Sequence, residues 1–318
     1  GYGRVIRNES GVVLAIVESR ECTPQQAEVR ECNSGIYVFS REFLESKIRT
    51  LRSDNQKGEF YLTDLVAQAK TPCATWKVDE AEVMGVNTAS ELARANVLAN
   101  AAIVRRCMDA GVIFLFPDMV EVHEDVEIAP GVIVESGVSL RGKTRIGGDT
   151  RISMGSLLQD ADVGENVCIL PYTLVENSRI EKGARVGPFS RIRPASVVGE
   201  NAHVGNFVEL KKTVLHAGVK ANHLSYLGDA EIGEGSNIGA GTITCNYDGK
   251  NKYTTVIGAG VFVGSDSQLI APVTVGDGAY IGTGTTVFSD VPEKALAINP
   301  RRQEHRHDWV PPYARPKK

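Results

Sequence analysis

Arg193 and Lys211 stand eighteen residues apart, and each directly follows an aliphatic residue, Ile192 and Leu210. If the chain coils back on itself every eighteen residues, the two cations stack at the inter-strand distance of about 4.8 Å. Like charges at that spacing repel unless an anion lies between them, and a phosphate meets that need. The alternative is a solvated basic ladder. Further along is His223, with no CxxC and no close histidine partner to suggest a metal. An imidazole, with a reference pKa of about 6.5, can take a proton from an amine nucleophile, work typically worth roughly 10² to 10⁴ in rate. A hydrogen-bonded structural histidine is the competing reading. Glu209, just before Lys211, is expected to orient the His223 ring. His203 and His216 read as structural.

A repeat positions these residues. Aliphatic side chains recur every six positions: Ile128, Val134, Leu140, Ile146 and Ile152; then Val163, Ile169 and Val175; then Ile180 through Leu210; then Ile257 through Val287. Many are followed by glycine, as at Val186-Gly187 and Val263-Gly264. A period of six fits neither a helix nor an alternating strand. It is the hexapeptide repeat of a parallel β-helix, in which each short strand turns one aliphatic residue inward. Function is expected where the period breaks. One apparent break spans Leu210 to Ile232 and contains His216, His223 and Tyr226; it is expected to be a long irregularity. The other, from Thr244 to Val256, reads as a loop ejected from the coil and carries polar, aromatic and basic residues.

Residues 1–87 read as mixed α/β, with buried strands expected at Val12–Val17 and Gly35–Phe39 and a short helix between Phe43 and Leu51. A helix is expected over 88–111, because Thr88 and Glu91 form a capping-box pair and Gly111 stands where a C-terminal cap belongs. The solenoid is expected over 112–299, followed by a basic tail, 300–318.

The 318 residues are 42% hydrophobic and 23% charged with a net charge of −4, which argues against disorder and against a general nucleic-acid or basic membrane-surface binder. Six scattered cysteines favour reduced thiols in a cytoplasmic protein. No apolar stretch approaches the roughly 20 residues of a membrane span. The opening Gly-Tyr-Gly-Arg has neither Met nor a signal-peptide pattern and reads as an internal start.

The stretches Gly-Pro-Phe-Ser-Arg-Ile-Arg-Pro from Gly187, His-Val-Gly-Asn-Phe-Val-Glu-Leu-Lys-Lys from His203, and Asn-His-Leu-Ser-Tyr-Leu-Gly-Asp from Asn222 carry a resemblance. So does Asn-Ile-Gly-Ala-Gly-Thr-Ile-Thr-Cys-Asn-Tyr-Asp-Gly from Asn237. Together they resemble the bacterial bifunctional enzymes of UDP-N-acetylglucosamine synthesis. These join glucosamine-1-phosphate N-acetyltransferase to N-acetylglucosamine-1-phosphate uridylyltransferase.

The resemblance implies a left-handed parallel β-helix assembled as a homotrimer, with glucosamine-1-phosphate and acetyl-CoA as substrates. It assigns His223 as the base, and Arg193, Lys211, Tyr226, Asn237 and Lys252 to the sugar phosphate. Ala240, Asn246, Tyr247, Ser265, Thr283 and Arg301 fall at acetyl-CoA positions. Thr283 stands where alanine is commoner, and near Pro300 the family's arginine is displaced. Residues 1–87 resemble the end of the uridylyltransferase domain, with Gly3, Glu18, Asn33 and Asn87 at sugar-nucleotide positions and Asn87 also a magnesium ligand. The family's Gly-rich nucleotide loop and second magnesium ligand have no counterpart here, so uridylyltransfer is not expected of this chain alone.

Three rivals remain. Another hexapeptide acyltransferase would share the scaffold. A γ-carbonic-anhydrase-like enzyme would bring His203, His216 and His223 onto one metal. A non-catalytic solenoid would need none of them. Cys245, beside Asn246, is expected either to obstruct acetyl transfer when alkylated or to be a small buried thiol.

Overall fold

The inward aliphatic positions are the core. In a computed structural model describing residues 2–55, 57–300, 303–311 and 314, almost every one is buried, and Leu140, Ile152, Ile192, Leu210 and Leu227 are fully so. Successive short strands fall in turn on three parallel sheets of eleven, ten and nine strands. Each strand hydrogen-bonds to the strand one coil away, and this column of side chains fills a triangular prism. The strands run from Ile113–Phe114 to Leu296–Ala297. No helix among the described residues is long and apolar enough to cross a membrane.

Coil length is not constant. Ile192 registers with Leu210, a coil of three full hexads. The coils from Val175 to Ile192 and from Leu210 to Leu227 close one residue sooner. The short coils save that residue at the corner from the ten-strand to the nine-strand sheet. Two such corners, Leu210 to Leu215 and Leu227 to Ile232, account for the break expected between Leu210 and Ile232. That span is no irregularity: it holds three ordinary sheet strands, Val214–Leu215, Lys220–His223 and Tyr226–Gly228. The second break is a true insertion. Ile232 registers with Ile257, a coil seven residues longer than three hexads, and the chain between Cys245 and Thr255 leaves the prism.

Serine or threonine two before many of the inward aliphatics, alternating with alanine and valine at the rest, seals the corners. Thr213 Oγ1 donates to the Leu227 carbonyl at 2.8 Å, and Ser236 Oγ to the Gly258 carbonyl at 2.8 Å. A buried hydroxyl is tolerated here because a carbonyl of the next coil satisfies it.

The chain divides into two compact units, Gly1–Leu98 and Ala99–Lys318, with the division inside the helix Ala89–Asp109. The helix starts as its capping residues dictate: Glu91 Oε2 accepts from the Thr88 N–H at 2.8 Å, and Thr88 Oγ1 from the Glu91 N–H at 3.2 Å. In the second unit, Asn100 closes the open end of the solenoid by bonding the Val120 carbonyl and the Val122 N–H. An otherwise unpaired end of a repeat stack needs such a cap.

The first unit holds the antiparallel pair Arg4–Arg7 and Val13–Val17, a small core of Val5, Val13 and Val66, and the helix Arg41–Lys47 capped by Ser40. The buried strand expected at Gly35–Phe39 does not form: Ile36 is 70% and Val38 98% exposed. A strand needs a neighbour for its backbone groups, and the described residues of this unit supply none to that segment.

Candidate functional site

Arg193 and Lys211 do stack in register, since Ile192 pairs with Leu210 and each cation follows. They do not confront each other bare. Arg193 Nη1 lies 2.8 Å from Glu209 Oε1, and Lys211 Nζ lies 2.7 Å from Asp229 Oδ2. The charge balance that seemed to demand an external anion is partly met by the protein's own carboxylates. The Glu209 hydrogen bond raises the Arg193 guanidinium above its ordinary value, and the Asp229 hydrogen bond does the same for the Lys211 ammonium.

The ejected loop brings a third cation, Lys252, beside Lys211, which pushes Lys252 below its ordinary value by hydrogen bonding and charge repulsion. Tyr226 pairs with Glu209 across the coils, and its phenol acts electrostatically on both Arg193 and Lys211. Arg193, Lys211, Tyr226 and Lys252 therefore form one cluster at an edge of the ten-strand sheet. It is suited to a phosphate because three cations outnumber the two carboxylates.

His223 ends the strand Lys220–His223 of the eleven-strand sheet, at the corner where the chain turns into the ten-strand sheet and so on the side of that face away from the cluster. Its Nδ1 lies 3.0 Å from Asn206 Oδ1, not from Glu209. The expected orienting role of Glu209 is therefore corrected: Glu209 is engaged with Arg193, and Asn206, the Cα partner of His223 one coil earlier, holds the ring. An amide oxygen can only accept, so Nδ1 carries the proton and Nε2 keeps its lone pair.

The residues at acetyl-CoA positions have their own order. Ala221, Ile238, Val263 and Ile281 are successive Cα partners. Two residues beyond each comes a vertical row: His223, Ala240, Ser265 and Thr283, with Asn206 below. Backbone bonds between adjacent coils run beside it, from the Asp266 N–H to the Ala240 carbonyl at 2.7 Å and from the Gly284 N–H to the Ser265 carbonyl at 2.9 Å.

Asn246 is buried where the ejected loop leaves the coil, and it donates to Asp229. Tyr247 is exposed, its hydroxyl donating to the Gly249 carbonyl at 2.6 Å. Asn237 lies on the eleven-strand sheet between Lys220 and Phe262, so within this chain it stands on a different face from the phosphate cluster. Arg301 lies outside the described residues. Cys245 is half-buried, and burial pushes its thiol up, away from the reactive thiolate.

Among the nucleotide-site positions, Gly3 accepts the Asn33 N–H at 2.8 Å, and a side chain at Gly3 would abut Glu18. Asn87 follows Gly85, whose N–H donates to the Tyr2 hydroxyl at 3.0 Å. These four positions do gather in the first unit. They do not make a magnesium site: Asn87 offers one amide oxygen, and no group of three His, Cys, Asp or Glu side chains that could hold a metal occurs among the described residues. The three histidines of the hydratase reading do not converge either. His223 is held by Asn206, while His216 Nε2 lies 3.0 Å from Glu231 on the nine-strand side.

Asn206 and Asp229 were not singled out from the sequence. Counting coils would have found them, since Asn206 sits one short coil before His223 and Asp229 directly follows Gly228, the partner of Lys211 one short coil on.

Residues 174–275 match the family model described as the GMPPB C-terminal domain. Proteins described as bifunctional protein GlmU match nearly the whole chain. That of Sorangium cellulosum is 45% identical over 313 residues, 98% of this chain and 66% of its own length. That of Koribacter versatilis is 45% identical over 317 residues, 98% of this chain and 68% of its own length. The chain thus spans about two thirds of the length of these curated relatives. Among solved structures, the UDP-N-acetylglucosamine acyltransferase from Campylobacter jejuni is similar over 56% of this chain and 69% of its own, at 15% identity and a TM-score of 0.33. With 44% identity over 98% of this chain and 69% of the Methylococcus capsulatus relative as well, the chain belongs to the family of bifunctional GlmU proteins.

Proposed function

We propose that this chain transfers the acetyl group of acetyl-CoA to the amine of glucosamine-1-phosphate, giving N-acetylglucosamine-1-phosphate for UDP-N-acetylglucosamine synthesis. One observation carries the reading: a histidine with a held Nδ1 stands at the foot of the Ala240, Ser265 and Thr283 row, across one sheet face from a three-cation clamp.

Arg193, Lys211 and Lys252 hold the phosphate, and Tyr226 lies between the clamp and His223. His223 and Tyr226 lie on either side of the corner at Leu224, where φ is 48°, so the sugar lies across the ten-strand face with its amine toward the histidine. His223 Nε2 takes a proton from the substrate ammonium, and the freed amine attacks the thioester carbonyl. The tetrahedral adduct collapses as the carbon–sulfur bond breaks; the second proton lost from nitrogen goes to the departing CoA sulfur. No acyl-enzyme is involved. Ala240, Ser265 and Thr283 line the acetyl-CoA along the corner, while Asn246 and Tyr247 flank it from the loop.

The working unit is a homotrimer in the cytoplasm. A strip of half-exposed rings, Tyr172, Phe189 and Phe207, runs down the same corner with centroids 5.2 and 5.5 Å apart, and each residue has positive φ. Apolar rings in a strained, open position suit coverage by a neighbouring copy, and Asn237 of such a copy would complete the sugar site.

Residues 1–87 are the end of a uridylyltransferase domain, 88–111 a linker helix, 112–299 the acetyltransferase solenoid and 300–318 a tail. Since the donors present do not make a magnesium site, no phosphoryl step is assigned to residues 1–87. UMP transfer belongs to the longer protein, with magnesium.

The test is release of free CoA thiol from acetyl-CoA. Release that depends on glucosamine-1-phosphate and is lost in His223→Ala supports the reading. Release with neither dependence excludes it.

A further inference from the structure

Asp229 occupies the corner after the strand Tyr226–Gly228, in the left-handed region at φ 48°. Its backbone is tied on both sides: its N–H donates to the Lys211 carbonyl at 2.8 Å, and its carbonyl accepts from the Thr255 N–H at 3.1 Å. Its Oδ2 receives both Lys211 Nζ, at 2.7 Å, and the Asn246 side-chain amide. Asn246 is the residue at which the ejected loop leaves the coil, and Thr255 the one at which it returns. One aspartate thus holds both feet of the loop that carries Lys252. The Lys211 and Asp229 side chains are only 11% and 14% exposed, so solvent screens their bond weakly.

We propose that Asp229 is the positioning residue of the phosphate clamp: by tying Lys211 to both feet of the 246–254 loop, it presents Lys211 and Lys252 to a single phosphate. The proposal rests on the N-acetyltransferase reading for the identity of that phosphate. The groups facing Asp229 are Lys211 from the ten-strand sheet and Lys252 and Asn246 from the loop; Tyr226 faces Lys211, and Lys212 adds positive charge near Lys252. Burial alone pushes the Asp229 carboxyl up, but Lys211, Asn246 and Lys252 outweigh it and hold it below its ordinary value.

Two physical expectations oppose each other in Asp229→Asn, a change that keeps the shape and tolerates the left-handed backbone. If Asp229 merely competes with the phosphate, removing its charge tightens substrate binding. If it positions the clamp, binding weakens. The expected result is a KM for glucosamine-1-phosphate raised roughly tenfold to a hundredfold, the range of lost charge-assisted hydrogen bonds, with kcat within about threefold. The alkaline limb of kcat/KM moves to lower pH, because lysines without their carboxylate lose the proton sooner; a purely structural role would leave that limb in place. An unchanged or lowered KM overturns the proposal.

The titration of Lys211, followed by lysine side-chain NMR without substrate, separates this proposal from the functional reading. A wild-type protein that releases no CoA thiol refutes that reading, while an unmoved Lys211 titration in Asp229→Asn refutes the positioning role. Should that variant not fold, Asn246→Ser cuts one foot of the loop and spares the ion pair. A raised KM with an unmoved Lys211 titration is expected there, and an unchanged KM overturns the proposal.

Discussion

Asn206 should matter to catalysis only through His223. Replacing it with alanine removes the 3.0 Å bond to Nδ1 and frees the ring to rotate and to exchange its proton between nitrogens. A net intramolecular hydrogen bond contributes about 0.5–1.5 kcal/mol, and each 1.36 kcal/mol is tenfold in rate. Because His223 is exposed, the lower part of that range applies. The expected loss in kcat is therefore roughly twofold to fivefold, against roughly 10² to 10⁴ for His223→Ala. CoA thiol release at saturating substrates measures both. The double variant should be no slower than His223→Ala, since an orienting group has nothing left to orient. An Asn206→Ala rate equal to wild type, or a double variant slower by the product of the two losses, refutes the argument.

Gly205→Ala should cut acetyl transfer by more than tenfold, because a Cβ there collides with the Asn222 carbonyl one coil above and pushes His223 off Asn206; overpacking of this kind costs roughly 1–3 kcal/mol, readable as a lower Tm. Leu227→Ala empties a fully buried position and should cost about 2–5 kcal/mol in chemical denaturation; a loss under about 1 kcal/mol would mean the coils close on the cavity. The Asp229 carboxyl, depressed in the folded protein, contributes stability that is fully present above its unfolded pKa of about 3.9 and is lost as pH falls through the lower folded value. The stability gap between wild type and Asp229→Asn should accordingly shrink below about pH 4; a gap constant from pH 7 to pH 3 would contradict this.

The solenoid was readable because one inward residue per strand is a rule that the sequence must repeat, and Ile180 through Leu210 repeat it without error. What misled was a rule held too strictly. A corner can be turned in four residues or five, so the short corners before Leu215 and Ile232 looked like disruption and hid the register that sets Asn206 beneath His223. The pairing of Arg193 and Lys211 was legible, but their carboxylate partners were not, since a surface acid has no periodic signature. The 35–39 segment failed for another reason: its residue types suit a strand, yet strand formation depends on a neighbour that the described part of the first unit does not provide.

The row from Asn206 to Thr283 has a geometric consequence. Its five members are one strand spacing apart, so the distance from the base to the far end of the row is a whole number of steps of about 4.8 Å. Reach along this edge is quantised: it changes by adding or deleting a coil, never by a fraction of one. Side chains on the 246–254 loop, by contrast, vary continuously in length and aim without altering the step. The scaffold thus separates two kinds of change, with coil number fixing how long a ligand the edge can measure and the loop fixing what chemistry it meets along the way.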